Sequence, residues 1–191
     1  MKIIHKIINR LYNEVLLRLE TVEDKIRRHG GTVGEQVFIG KDVLIDYDFA
    51  FLLDIGRGAV LSARTVIELH DSSIPNALGK GPNRVGRVII GERAYIGVGT
   101  VILPGSSIGR GAIIGACSLI NRDIPEGQVW AGVPARYLCT VEELLEKRKH
   151  QSSSLTADFD WMGEIEKTET DYLTVKADFI ERVKRFFYSR S

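Results

Sequence analysis

The sequence predicts an all-β solenoid, a parallel β-helix of six-residue steps, and three observations carry that prediction. Ile90, Ile96, Ile102, Ile108, Ile114 and Ile120 recur at a fixed spacing of six. A small side chain stands four places after each of the first five, in Ala94, Thr100, Ser106, Ala112 and Ser118, and Gly91, Gly97, Gly109 and Gly115 directly follow four of the isoleucines. A fixed short period marks repeats that bury their apolar side only by stacking on one another, and neither a helix nor an ordinary sheet repeats every six. Three short flat strands per coil of about eighteen residues fit the pattern, with isoleucine pointing into a triangular core and small residues at tight corners.

Ahead of the coils, Ile4, Ile8, Leu11, Val15, Leu19, Val22 and Ile26 recur in steps of three and four until Gly30-Gly31 stops the run, so residues 1–31 read as one amphipathic helix. Its near-heptad seam suits packing on another helix or on the flank of the coils. Its basic face makes contact with a membrane surface the alternative. The coils occupy 32–140, starting at Val33 and passing through Ile39 and Ile45. The next apolar position is Ile55, a step of ten where six is due, which predicts a four-residue insertion near Phe51 to Asp54. After His70 the rhythm is lost until Ile90. The segment 71–87, rich in Gly, Pro, Asn and Ser, reads as a loop projecting from the coils, and long loops in a compact domain are usually functional. Residues 141–191 form a helical extension: VEELLEKRKH (141–150) reads as a short helix, 151–154 as a linker, and TVKADFIERVKRFFYS has helical spacing at Val175, Phe179 and Val183.

Composition bounds the function. Lys plus Arg number 26 against 25 Asp plus Glu, so no global field selects a nucleic acid partner. No stretch approaches a membrane span and no secretory signal is expected at the start, which points to the cytoplasm. Cys117 and Cys139 show neither metal-ligand nor redox spacing, and Cys117 is expected in the core register.

IIGERAYIGVGTVILPGSSIGRGAIIGACSLINRDIPEGQVWAGVPARYL (89–138), with its LPG step and closing AGVPAR, resembles the last coils of the hexapeptide-repeat acyltransferases, and the likeness extends over roughly 33–140. The resemblance implies a left-handed parallel β-helix, acetyl-CoA as co-substrate and no metal. It does not by itself fix the function, because serine, sugar and antibiotic acetyltransferases, γ-class carbonic anhydrases and structural subunits share such coils.

Acyl transfer to a hydroxyl needs a base of near-neutral pKa, and imidazole is the usual choice. Of four histidines, His5, His29, His70 and His150, only His70 lies in the repeat region. Its surroundings, VIELHDSS, resemble the place where sugar O-acetyltransferases of this superfamily carry their catalytic histidine. If 51–54 is the insertion, Ile45 and Ile67 occupy the same corner of adjacent coils. Asp48 and His70 then stack about one strand spacing apart, ~4.8 Å, so that Asp48 orients the ring. Asp71, Glu68 and Asp46 are the rival acids. A carbonic anhydrase would need three imidazole ligands where the chain offers one suitably placed.

The resemblance further implies Val98, Gly99 and Ala116 along the pantetheine arm, Asn121, Arg122 and Arg136 near the CoA phosphates, and oxyanion stabilisation by backbone N–H groups near the Gly97 to Gly99 corner. It also implies a homotrimer with the site between subunits. The function expected is O-acetylation of a sugar hydroxyl, plausibly in surface glycan biosynthesis, by direct transfer in a ternary complex. N-acetylation of an amino sugar and a non-catalytic structural subunit are the alternatives.

Overall fold

The computed structural model describes residues 20–149 and 179–185. The chain divides into two compact units, 1–145 and 146–191. Within the first, three parallel sheets take one strand each from every turn of the chain. The first sheet holds Thr32–Val33, Leu53–Ile55, Val88–Ile90 and Ser107–Ile108. The second holds Phe38–Ile39, Val60–Leu61, Tyr95–Ile96 and Ile113–Ile114 and is extended by Gln128–Gly132 and the antiparallel Ala135–Thr140, and the third holds Leu44–Ile45, Val66–Ile67, Val101–Ile102 and Leu119–Ile120. The chain visits first, second and third sheet in rotation, which is the topology of stacked three-sided coils.

Register follows the sequence period. Ile90 pairs with Ile108, Ile96 with Ile114 and Ile102 with Ile120. All six isoleucines are at most 1% exposed, and the small residues Ala94, Thr100, Ser106, Ala112 and Ser118 are buried at the corners. Two-residue strands explain the pattern: the second residue points in and the first points out, as in Tyr95 and Ile96.

Glycine follows the inward residue because no Cβ fits there. The coil on the next turn sits so close that a Cβ on Gly91 would lie 2.6 Å from the Arg110 nitrogen, and one on Gly97 would lie 2.5 Å from the Ala116 nitrogen. The same backbone proximity lets Gly91 N–H donate to the Ile108 carbonyl (2.7 Å) and Gly97 N–H to that of Ile114 (2.9 Å).

The insertion between the first two turns lies earlier than its predicted place. It is a 3-10 helix, Tyr47–Leu52, that starts two residues after Ile45, so the regular register ends at Asp46 rather than near Phe51. The segment 71–87 is an ordered arm. His70–Asp71 pairs antiparallel with Arg84–Val85, and a short helix, Ser73–Leu78, ends at left-handed Gly79. Cys117 is not in the core: it stands at a corner with φ +56° and is exposed, while Ser118 and Ile120 take the inward positions. The last turn closes with an antiparallel hairpin of Gln128–Gly132 and Ala135–Thr140.

The predicted leading helix is interrupted at Thr21, whose extended backbone and hydroxyl, accepting from the Asp24 N–H, cap a separate helix, Val22–Arg28. Ile26 of that helix is fully buried in the core. The remainder of the predicted leading helix, on 1–19, falls outside the described residues. A helix at Val141–Lys149 agrees with the predicted one, and within the second unit 179–185 is helical; the remainder of the predicted extension is likewise outside the described residues.

The close coil spacing makes a specific demand on stability. Gly91→Ala forces backbone apart and should cost about 3 kcal/mol, the upper end of ordinary overpacking. Gly111→Ala, at φ +63° with open space around its Cβ, should cost only the left-handed strain of about 1 kcal/mol. Urea denaturation of the two variants checks the difference.

Candidate active site

Two corners of the coil follow the glycine rule and the third does not. After the first sheet come Gly34, Gly56, Gly91 and Gly109, and after the second Gly40, Ser62, Gly97 and Gly115. After the third sheet the same positions hold Asp46, Glu68, Leu103 and Asn121. These four stack through backbone bonds: Asp46 N–H to the Ile67 carbonyl, Glu68 to Ile102 and Leu103 to Ile120. Both insertions leave the coil just after this corner, and its positions carry full side chains while the turns keep ordinary backbone hydrogen bonds. A column of functional groups results.

His70 stands beside that column at the root of the arm. Its Nδ1 hydrogen-bonds to Oδ2 of Asp46. The ring also stacks on Phe49 of the 3-10 helix, with centroids 4.7 Å apart and planes inclined by 26°. His70 is 34% exposed and Asp46 only 13%. An open cleft of about 430 Å³ lies at this edge, lined by Glu68, His70, Asp71, Arg84, Leu103, Pro104 and Asn121.

The hydrogen bond to Asp46 holds the His70 pKa above the ordinary histidine value. Desolvation works against it, and the charges of Asp46, Glu68 and Asp48 add to the rise. With Nδ1 committed to a carboxylate, the neutral ring carries its proton there and presents Nε2 as the free base. Hydrogen bonds from the Ser73 side chain and then from its N–H (2.8 Å) keep the Asp71 carboxyl below the usual range against desolvation, and the charges of Arg84 and His70 add to the fall.

Asp46, not Asp48, therefore contacts the histidine. The pairing of Ile45 with Ile67 that motivated Asp48 is present. The error lies in carrying the register three residues further, because the chain turns into the 3-10 helix at Tyr47 and takes Asp48 with it. Asp46, one residue after Ile45, is still in step.

The other expected site residues fall in different places. Asn121 lines the same cleft as His70. Val98, Gly99 and Ala116 lie on the corner between the second and third sheets, a different edge of the same coils, where Cys117 N–H donates to the Val98 carbonyl (2.8 Å). Gly97 and Gly99 already donate their amides to the Ile114 and Ala63 carbonyls, so neither is free to bind an oxyanion. Arg122 is exposed beside Asn121, and Arg136 lies in the closing hairpin, bonded through Nη1 to the Ala135 carbonyl (3.0 Å). Phe49 was missed at the sequence level; the signal that could have found it is the rhythm break itself, which places an aromatic within reach of the base.

The repeats identify the chain's class. Residues 87–122 match the family described as bacterial transferase hexapeptide (six repeats), and the repeat region is similar to acetyltransferases built on such repeats. The chain is 34% identical over 117 residues to a putative acetyltransferase YvoF of Bacillus subtilis (strain 168), covering 61% of this chain and 64% of that one. It is 35% identical over 104 residues to the putative lipopolysaccharide biosynthesis O-acetyl transferase WbbJ of Escherichia coli (strain K12), covering 54% and 50%. The alignments thus span less than two thirds of either relative. Among solved structures, a galactoside acetyltransferase in complex with coenzyme A shares the fold, with a TM-score of 0.50 at 24% identity over 70% of this chain and 74% of that one.

If Asp46 holds the ring, Asp46→Asn should bring the His70 pKa down toward the ordinary value near 6.5, while Asp48→Asn leaves it close to wild type. The sign follows from the pairing. A raised histidine pKa means that the pair's stabilisation is complete below the ordinary value and is lost as pH rises through the raised one. Ring-proton NMR titration of the two variants reads both shifts directly.

Proposed function

We propose that this protein is an acetyl-CoA-dependent O-acetyltransferase acting on a sugar hydroxyl, with His70 as general base. The observation that carries the reading is the Asp46–His70 pair at the edge of an open cleft, on the one corner where the coil admits side chains. Nδ1–H stays with Asp46, and Nε2 takes the proton of the acceptor hydroxyl as its oxygen attacks the thioester carbonyl. The C–S bond then breaks, and the imidazolium returns the proton to the departing thiolate of CoA. Asp46 orients the ring and stabilises its charged state between the two transfers. Transfer is direct, in a ternary complex.

Relatives named as O-acetyltransferases and a structural neighbour holding coenzyme A support the reaction class and co-substrate. The coil is left-handed in this reading, as the superfamily resemblance implies. A role in surface glycan biosynthesis follows the name of the lipopolysaccharide relative. The cytoplasm, where acetyl-CoA is made, is the compartment proposed; no described helix is long and apolar enough to cross a membrane.

The pantetheine arm is assigned to Val98, Gly99 and Ala116, with Val98 as the remaining backbone donor for the oxyanion. Asn121, Arg122 and Arg136 are assigned to the CoA phosphates, where cationic donors are needed. Those two groups and His70 do not share one edge of a single chain, so a site using all of them needs the second edge of one copy against the third edge of another.

The outer faces support such an assembly. Outward positions on the second sheet are Phe38, Val60, Tyr95 and Ile113, and on the third Leu44, Val66, Val101 and Leu119. The first sheet shows Thr32, Asp54 and Ser107 with a single Ile89. Two apolar faces flank the edge that bears Val98, with Phe38 56% and Leu44 62% exposed in the single chain. A homotrimer that pairs these faces would cover them and complete the sites.

His70→Ala should bind acetyl-CoA as wild type does yet lose at least ~100-fold in transfer, the low end of what a positioned base contributes. The measurement is CoA release and product mass across a panel of sugars, nucleotide sugars and amines. Turnover near wild type would remove His70 from the mechanism, and products formed on amines alone would favour amino-sugar N-acetylation.

Tyr95→Glu places a charge at the centre of an apolar face and should convert the trimer to an inactive monomer in light scattering. A wild-type monomer at micromolar concentration that still transfers acetyl groups overturns the shared site.

A further inference from the structure

We propose that Phe49 is a positioning residue that fixes the plane of the His70 ring and so keeps its Nδ1–H on Asp46, making the 3-10 insertion Tyr47–Leu52 a bracket for the base. The inference rests on the reading of His70 as the base. It goes beyond that reading in assigning the insertion a task.

The hydrogen bond that Nδ1–H donates to Asp46 fixes one point of the imidazole. The ring remains able to swing about that point and to rotate about its own bond, and a base must present Nε2 within narrow limits of distance and angle. Stacking on Phe49, at 4.7 Å and 26°, supplies the missing restraint by fixing the ring plane. Asp46 grips the edge and Phe49 the face. Both come from one short stretch, Asp46 being the residue that immediately precedes the 3-10 helix. Phe49 is not among the residues that line the cleft, so it acts on the reaction through His70.

The bracket is itself held. Ala50, next to Phe49, is fully buried, and Phe51 lies 6.2 Å from Phe49, ring to ring. On the other side, Tyr47 carries the ring of His29 at 5.7 Å and the Lys25 ammonium 3.7 Å over its face. Gly31 is wedged where a Cβ would come within 2.5 Å of the Ala50 carbonyl oxygen and 2.7 Å of Ile26 Cγ2. The helix Val22–Arg28 thus presses on the back of the insertion whose front carries Phe49.

The test compares wild type, Phe49→Met, Phe49→Leu and Phe49→Tyr in the full chain by nitrogen-15 NMR of His70, alongside CoA release from acetyl-CoA with water as acceptor. Asp46, Asp48, Glu68, Asp71 and Arg84, the charged groups around the ring, are unchanged in all four proteins. Wild type and Phe49→Tyr should show the neutral ring protonated at Nδ1. Phe49→Met and Phe49→Leu should show a mixture of tautomers and about a tenfold fall in kcat with KM for acetyl-CoA unchanged. Two aliphatic variants are used so that misfolding of one leaves the comparison standing. An unchanged tautomer in a folded aliphatic variant overturns the proposal, whether or not kcat falls. If His70→Ala releases CoA at the wild-type rate, the base assignment fails, and the tautomer comparison still decides whether Phe49 holds the ring.

Discussion

The distance between successive turns of the coil is the constraint on which the rest depends. Parallel strands hydrogen-bond at a spacing of roughly 4.8 Å, and at two of the three corners the backbone of the next turn comes within 2.8 Å of where a Cβ would stand. Glycine or a small residue there is a steric requirement, and it recurs down the stack because the spacing does. The third corner carries full side chains instead, and it is also where the chain leaves the regular path, through the 3-10 helix after the first turn and through the arm after the second. Asp46, Glu68, Leu103 and Asn121 occupy the positions that glycine holds elsewhere. The candidate site sits at the edge where the packing rule is relaxed, and the inward residues Ile45, Ile67, Ile102 and Ile120 keep that edge in register with the core.

Burial and chemistry are therefore divided between faces of the same strands. Each two-residue strand gives one side chain to a core that excludes water and one to the outside, so a turn can change its outer residue without disturbing its inner one. On the first sheet that freedom is used for polar contacts, with Asp54 accepting from both Thr32 and Arg87. At the adjoining corner, Arg57 pairs with Glu92 and Arg110 with Glu126. These exposed pairs add little each to stability. They do keep that side hydrophilic, in contrast to the apolar outer positions of the second and third sheets. The three-sided coil thus has one polar outer face and two apolar ones.

Much of this was legible in the sequence, and the limits have physical causes. The period of six predicts sheet membership and pairing of the isoleucines because inward packing admits no slippage: a shift of one residue would turn Tyr95 into the core and Ile96 out of it. The break after Ile45 was visible, but its position was not. Phe51 to Asp54 and Tyr47 to Leu52 leave the same gap between Ile45 and Ile55, and only the backbone path tells them apart. That ambiguity moved the carboxylate from Asp46 to Asp48. The placement of Cys117 failed for a related reason, since two residues before Leu119 is a corner, and corners turn the side chain outward. The likeness to a family supplied a set of cofactor residues, yet it could not tell that Val98, Gly99 and Ala116 stand on one edge and Asn121 on another.

The absence of glycine after Ile45, Ile67, Ile102 and Ile120 carries information of the same kind as its presence elsewhere. In a stack held at backbone contact distance, a repeated glycine reports where the next turn is too close for a side chain. A column that lacks it marks the corner where full side chains are accommodated. On this molecule the glycine-free corner coincides with the only histidine of the repeat region, with the nearest carboxylate and with the cleft. Reading the exceptions to the glycine rule down each corner finds Asp46 in the same column as Glu68 and Asn121, without any count through the insertion. The register error thus arises from following the apolar rhythm across a break, where the corner rule, which depends only on contact between adjacent turns, still holds.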